Sequence, residues 1–245
     1  MKIVLDHPMH WVPNLQEAED AYGRAGLRLH PTPFAPVPGT HSATWWDGRR
    51  YVEVLALPDR GKALSRTSIY GALPDAVMPH VDAVLTEGGG ATNFVVAVDD
   101  VNQLLKTMHN AGTGTNTTSV TMGRKPRAIT LTFVWPTTGP AWKPIFVHYS
   151  LPEWMRRFAE RLKRGAPPQQ TLSGLVVEVP NPADSARWLA SVLDIPSQGW
   201  RMEIGGRSIS FHKGPTGRIT AVRLEGRDVT PFEDAGLRFE REDRK

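Results

Sequence analysis

His7, Glu53 and His148 are the residues whose types could do metal chemistry together. Two imidazoles and one carboxylate suit a divalent first-row metal and leave coordination positions open for substrate and water. Such a centre binds two neighbouring substrate oxygens, polarises a carbonyl and stabilises a developing enolate. Glu53 could instead serve as a catalytic general base. Each residue also has a plainer role: a histidine opening a strand bonds backbone, and a strand glutamate pairs with an arginine.

These residues lie far apart in sequence, so the elements carrying them must bring them together. The chain repeats itself. Val12-Pro13-Asn14-Leu15, Val98-Asp99-Asp100-Val101 and Val179-Pro180-Asn181-Pro182 each follow a strand-like run and precede a helical pattern. Val98 stands 86 residues after Val12, and Gly112 stands 86 after Gly26. A constant offset across a strand and a helix marks a structural repeat. In the first copy Asn14 and Glu17 form a capping box, Leu15, Ala18, Ala21, Tyr22 and Ala25 recur at helical spacing, and Gly26 stops the helix. His41 to Trp46 and Arg50 to Leu57 read as a hairpin turning at Asp47-Gly48. The second copy runs from Ala91 to Tyr149. In it, the stretch from Gly112 to Pro126 reads as a polar loop with a short strand near Ser119 to Met122. The third copy runs from Leu172 and closes with strands at Trp200 to Ile204, Arg207 to Phe211 and Ile219 to Leu224.

The expected fold class is therefore α+β, built of repeated βαβββ modules. Modules at 1–57 and 91–150 flank a connecting segment at 58–90, where Val77, Val81, Val84 and Leu85 predict a helix. A helix and linker occupy 151–170, a third C-terminal module 171–229, and a charged, frayed tail 230–245. Asp6-His7 on the first strand, Gly39-Thr40-His41 entering the third, Tyr51-Val52-Glu53-Val54-Leu55, Gly123-Arg124 and Pro144-Ile145-Phe146-Val147-His148 appear in a telling order. In that order the chain resembles the glyoxalase-like branch of the vicinal oxygen chelate superfamily.

The resemblance implies two modules forming a curled, half-open sheet cup, with a divalent metal (Fe, Mn, Ni or Zn) on its floor. His7 and Glu53 would come from the first module, and Asn93 and His148 from the second. Asn93 would be a weak fourth ligand or hydrogen-bond donor behind the metal, and His41 a spare ligand or proton shuttle. The substrate would be a small molecule with vicinal oxygens, transformed by lyase, isomerase or dioxygenase chemistry. The alternative is the same cup without metal, sequestering a small molecule. Trp45 and Trp135 would wall the cavity, and Arg124 and Arg127 could clamp a substrate carboxylate or phosphate. Gly174 takes the position of His7 in the third copy, which then extends the sheet or builds a homodimer contact.

The 245 residues are 40% hydrophobic and 22% charged, as in ordinary globular proteins. The net charge of +4 is scattered, which speaks for surface solubility rather than nucleic-acid binding. No run is long and apolar enough to cross a bilayer. The absence of cysteine excludes thiolate ligands, disulfides and cysteine nucleophiles, and favours a cytoplasmic location.

Overall fold

The computed structural model describes residues 1–32, 37–65, 68–123, 128–152, 169–226 and 230–242. Arg124, Arg127 and the helix expected near 153–163 lie outside these residues.

The first module is β1 (Ile3–Trp11), α1 (Leu15–Arg24), β2 (His30–Pro31), β3 (His41–Trp46) and β4 (Tyr51–Ala56). Asn14 accepts from the Gln16 amide at 3.0 Å and donates to Glu17 at 3.0 Å, so the helix starts where the capping residues sit. The connecting segment forms α2 (Arg60–Ala63), α3 (Ile69–Ala72) and α4 (Pro74–Thr86). The second module is β5 (Gly90–Val98), α5 (Val101–Asn110), β6 (Thr115–Met122), β7 (Ile129–Pro136) and β8 (Ile145–Ser150). β6 spans eight residues where a polar loop with only a short strand was expected. It lies on the outer side of β7, where polar residues are tolerated, and Ser119 and Thr121 pair their hydroxyls with Thr132 and Thr130 at 3.0 Å.

The third module is β9 (Gln170–Val179), α6 (Pro182–Leu193), β10 (Ser197–Gln198), β11 (Arg201–Glu203) and β12 (Ser208–Lys213). Asn181 precedes α6 without a side-chain capping bond, and Pro182 takes the first helical turn. Three strands then follow: β13 (Arg218–Gly226), β14 (Phe232–Asp234) and β15 (Leu237–Arg241). The charged stretch from 230 thus carries two strands. Leu237 and Phe239 alternate inward and are buried, a period-2 signal hidden between charges.

Each module pairs its first strand in parallel with its last: Met9 with Glu53, Val95 with Ile145, Gly174 with Ser208. Arg223 of β13 stands in the same relation to Glu240 of β15. β13 therefore opens a fourth, abbreviated unit rather than closing the third. Modules meet in pairs through antiparallel first strands, β1 with β5 and β9 with β13. Pro8 faces Phe94, its own copy 86 residues on, so a pseudo-twofold axis passes between them. The two pairs join into one 15-stranded sheet through Ile219 and Ala91.

The sheet is open and uncurled, its main path ending at β2 and β10. One core lies under α1, α5 and α6. The other lies between the face of the first pair and α3–α4, and holds Met9, Trp11, Val77 and Phe133. The walls expected from sheet curling thus come in part from α3, with its buried Tyr70, and from α4, with Val77, Val81 and Val84 buried as their spacing requires.

Candidate functional site

A β-bulge builds the site. The β1–β5 register shifts between Leu5 and His7, so one extra residue enters β1 there. A bulge breaks strict alternation and re-aims side chains. Asp6 and His7 meet as a result: His7 Nδ1 lies 2.9 Å from Asp6 Oδ2. His7 Nε2 points the other way, 3.5 Å from Glu53 Oε2 on β4. The ring stacks on Tyr51 at 4.3 Å and 18°, and Tyr51 stacks on Trp46 at 5.6 Å and 13°. From β8, the Tyr149 hydroxyl donates to Asp6 at 2.7 Å.

Burial works against a charged imidazole here, but the hydrogen bonds and charges of Asp6 and Glu53 outweigh it and lift His7 to about 9. Burial likewise opposes the Asp6 carboxylate, yet the His7 and Tyr149 bonds hold it below its ordinary range. Burial raises the Tyr51, Tyr70 and Tyr149 hydroxyls well above theirs, and the neighbouring acids add to this. At neutral pH the cluster is an imidazolium held between two acids, beside neutral phenols.

The cluster opens into a hollow of about 110 Å³. His7, Thr32, Ser42, Tyr51, Glu53, Tyr70 and Tyr149 contribute its polar groups, and apolar side chains, most of them from β1, β5 to β8, α3 and α4, supply the rest.

A model for the glyoxalase-like domain matches residues 5–193, most of the chain. The chain belongs to the glyoxalase-like domain family. The family places it in the vicinal oxygen chelate superfamily. No curated protein sequence matches it. A hypothetical protein from Staphylococcus aureus superposes over 99% of this chain and 100% of its own, with a TM-score of 0.72 at 14% identity. A mutant of 4-hydroxymandelate synthase from Streptomyces coelicolor covers 92% of this chain and 71% of its own, with a TM-score of 0.59 at 11% identity. At these identities the likeness speaks for the fold.

The ligand set implied by the glyoxalase-like resemblance does not assemble. His7 and Glu53 meet, but His148 does not join them. Its Nδ1 lies 3.1 Å from the Val98 carbonyl, and it borders a separate surface hollow beside Met1, Lys2 and Asp99. Strand alternation turns Ile145, Val147 and Tyr149 inward and His148 out. The parallel registers make Ile145, not His148, the counterpart of Glu53. Asn93 is buried, donates to the Lys143 carbonyl at 2.8 Å, and leaves its Oδ1 without a partner. The two nitrogens of His7 face different acids, so Asp6, His7 and Glu53 cannot converge on one ion. Among the described residues no group of three histidines and acids is arranged to hold a metal. The donor set does not fit the expected divalent ion.

The other expected residues scatter. Trp45 is buried in the core under the helices. Trp135 sits in the α4-side core near the hollow without lining it. His41 is exposed, with the lining residue Ser42 next to it on β3. Asp6, Tyr51, Tyr70 and Tyr149 were not among the expected site residues. A Tyr at 149 on alternation with 145 and 147 was the available signal, but Ile145-Phe146-Val147 is apolar throughout and hides the period.

Proposed function

We propose that this glyoxalase-like protein binds a small, mostly apolar molecule in the hollow without using a metal. The observation that carries the proposal is a mostly apolar hollow whose acid and imidazole come from one module: His7 and Glu53 of the first have Ile145 and a hydrogen-bonded Asn93 as their counterparts in the second. Concave, mainly apolar sites with few placed polar groups are the usual form of small-molecule pockets. The volume limits a fully enclosed ligand to about one small ring, since roughly 150 Å³ takes a benzene.

Calorimetric titration with cyclopentanol tests this. Binding is expected in the wild type. It should be lost in Val95→Phe and Val147→Phe, which fill the hollow from two strands, provided both variants keep a cooperative melt. Binding that survives both fillings would place the ligand elsewhere.

The approach of Glu53 to His7 at 3.5 Å supports a second reading, proton transfer on the bound molecule with Glu53 as base and no metal. Deuterium exchange into a bound small ketone, lost in Glu53→Gln, would favour it. Absence of exchange in the wild type would leave binding alone.

A further inference from the structure

Resting on the hollow as a binding site, we propose that it selects a compact apolar molecule carrying a hydrogen-bond donor, an alcohol or amine, and rejects carboxylates.

The protons nearest the acids are taken. His7 carries one N–H toward Asp6 at 2.9 Å and the other toward Glu53. Tyr149 gives its hydroxyl proton to Asp6 at 2.7 Å. The acceptor side is different. An ionised carboxylate has about four lone-pair sites on two oxygens. Asp6 Oδ2 takes two of these donors. Among the described residues Glu53, which lines the hollow, meets only the His7 nitrogen, at a long 3.5 Å. Its remaining capacity faces the ligand space.

An incoming carboxylate would therefore meet the acid Glu53, while the imidazolium beside it, His7, is already shared between Asp6 and Glu53. Among the described residues, two hydroxyls around the hollow keep a proton. Ser42 accepts from Thr32 at 2.8 Å and retains its own, and Tyr70 on α3 lines the wall. Neither carries a charge to offset Glu53. Arg50 does not help either: its guanidinium donates to the Arg49 carbonyl at 2.7 Å, stands on the Asp6 side and is absent from the lining. A ketone brings only acceptors and leaves Glu53 without the partner it lacks. An alcohol or ammonium group supplies that partner, and hydrogen bonds to charged groups are the stronger kind.

Four probes built on one cyclopentyl ring separate these cases on the full chain: cyclopentanol, cyclopentylamine, cyclopentanone and cyclopentanecarboxylate, each titrated by calorimetry. The alcohol and the amine are expected to bind at least tenfold more tightly than the ketone, with the carboxylate weakest. Glu53→Gln, which keeps the shape and offers an amide N–H, should bring the ketone and the carboxylate to within about threefold of the alcohol. If the ketone or carboxylate binds the wild type as tightly as the alcohol, and Val95→Phe abolishes that binding, donor selection is overturned while the hollow stands as a site. If all four bind equally in Val95→Phe, or none binds the wild type, the site itself is lost and donor selection with it.

Discussion

His7 and His10 stand three residues apart on β1 and are held in opposite protonation states. His7, between Asp6 and Glu53, is raised to about 9; His10, fully buried with its Nδ1 2.9 Å from the Tyr22 hydroxyl, is pushed down to about 4 by burial. The signs follow from linkage. Stability from His7 is fully present below the unfolded value near 6.5 and is lost as pH rises toward 9. His10 stays neutral when folded but takes a proton when unfolded, so its contribution is lost as pH falls from 6.5 toward 4. Urea denaturation across pH 4–9 should therefore show a maximum near pH 6.5. His10→Phe should flatten the acid limb and His7→Gln the alkaline one; unchanged limbs would contradict the assignment. Tyr149→Phe removes the donor to Asp6 and should cost about 1–3 kcal/mol in the same assay. Of this cluster, His7 and Glu53 were legible because single polar residues stood out within strand patterns. His148 misled because Val147-His148-Tyr149 looks like Val52-Glu53-Val54, whereas the closing strands of the two modules align Glu53 with Ile145, three residues earlier.

At the scale of elements, much of the secondary structure could be read from capping residues and alternation, as at Asn14, Asp100 and the His41–Trp46 hairpin. The bulge at Asp6 could not, because nothing in Leu5-Asp6-His7 distinguishes an inserted residue from ordinary strand alternation. Nor could the abbreviated fourth unit, since β13 has the same local pattern whether it closes one module or opens another. The hairpin turn has a role its sequence did not reveal. Asp47 is buried, its Oδ1 accepts from the Arg49 and Arg50 amides, and its Oδ2 accepts from the Leu172 amide of β9 at 3.0 Å. One side chain thus shapes a turn and ties the first module to the third. Asp47→Ala leaves buried donors unpaired and should cost roughly 2–3 kcal/mol by urea denaturation. Asp47→Asn, which keeps the acceptor oxygen, should recover part of the loss.

Across the whole molecule, the two module pairs share a core rather than merely a sheet edge. Phe232 and Phe239 of the last hairpin pack on Tyr22 from α1, and Phe239 also meets His10. The C-terminal strands thereby cover the helix side of the first module, whose other side forms the hollow. Removing residues 230–245 should lower stability by at least about 5 kcal/mol, as expected for uncovering two large aromatic contacts and their partners. A truncated chain with an unchanged melting temperature would show that the hairpin is dispensable. Among the described residues no helix is long and apolar enough to cross a membrane. In the hollow, one module supplies an acid–imidazolium pair and its twin supplies Ile145. The most direct test of metal-free binding there is cyclopentanol titration of the chelator-treated chain, repeated with one equivalent each of iron, manganese, nickel and zinc. The same affinity is expected in every case, lost on filling the hollow with Val95→Phe. Binding that disappears on chelation and returns with a stoichiometric metal ion would contradict it.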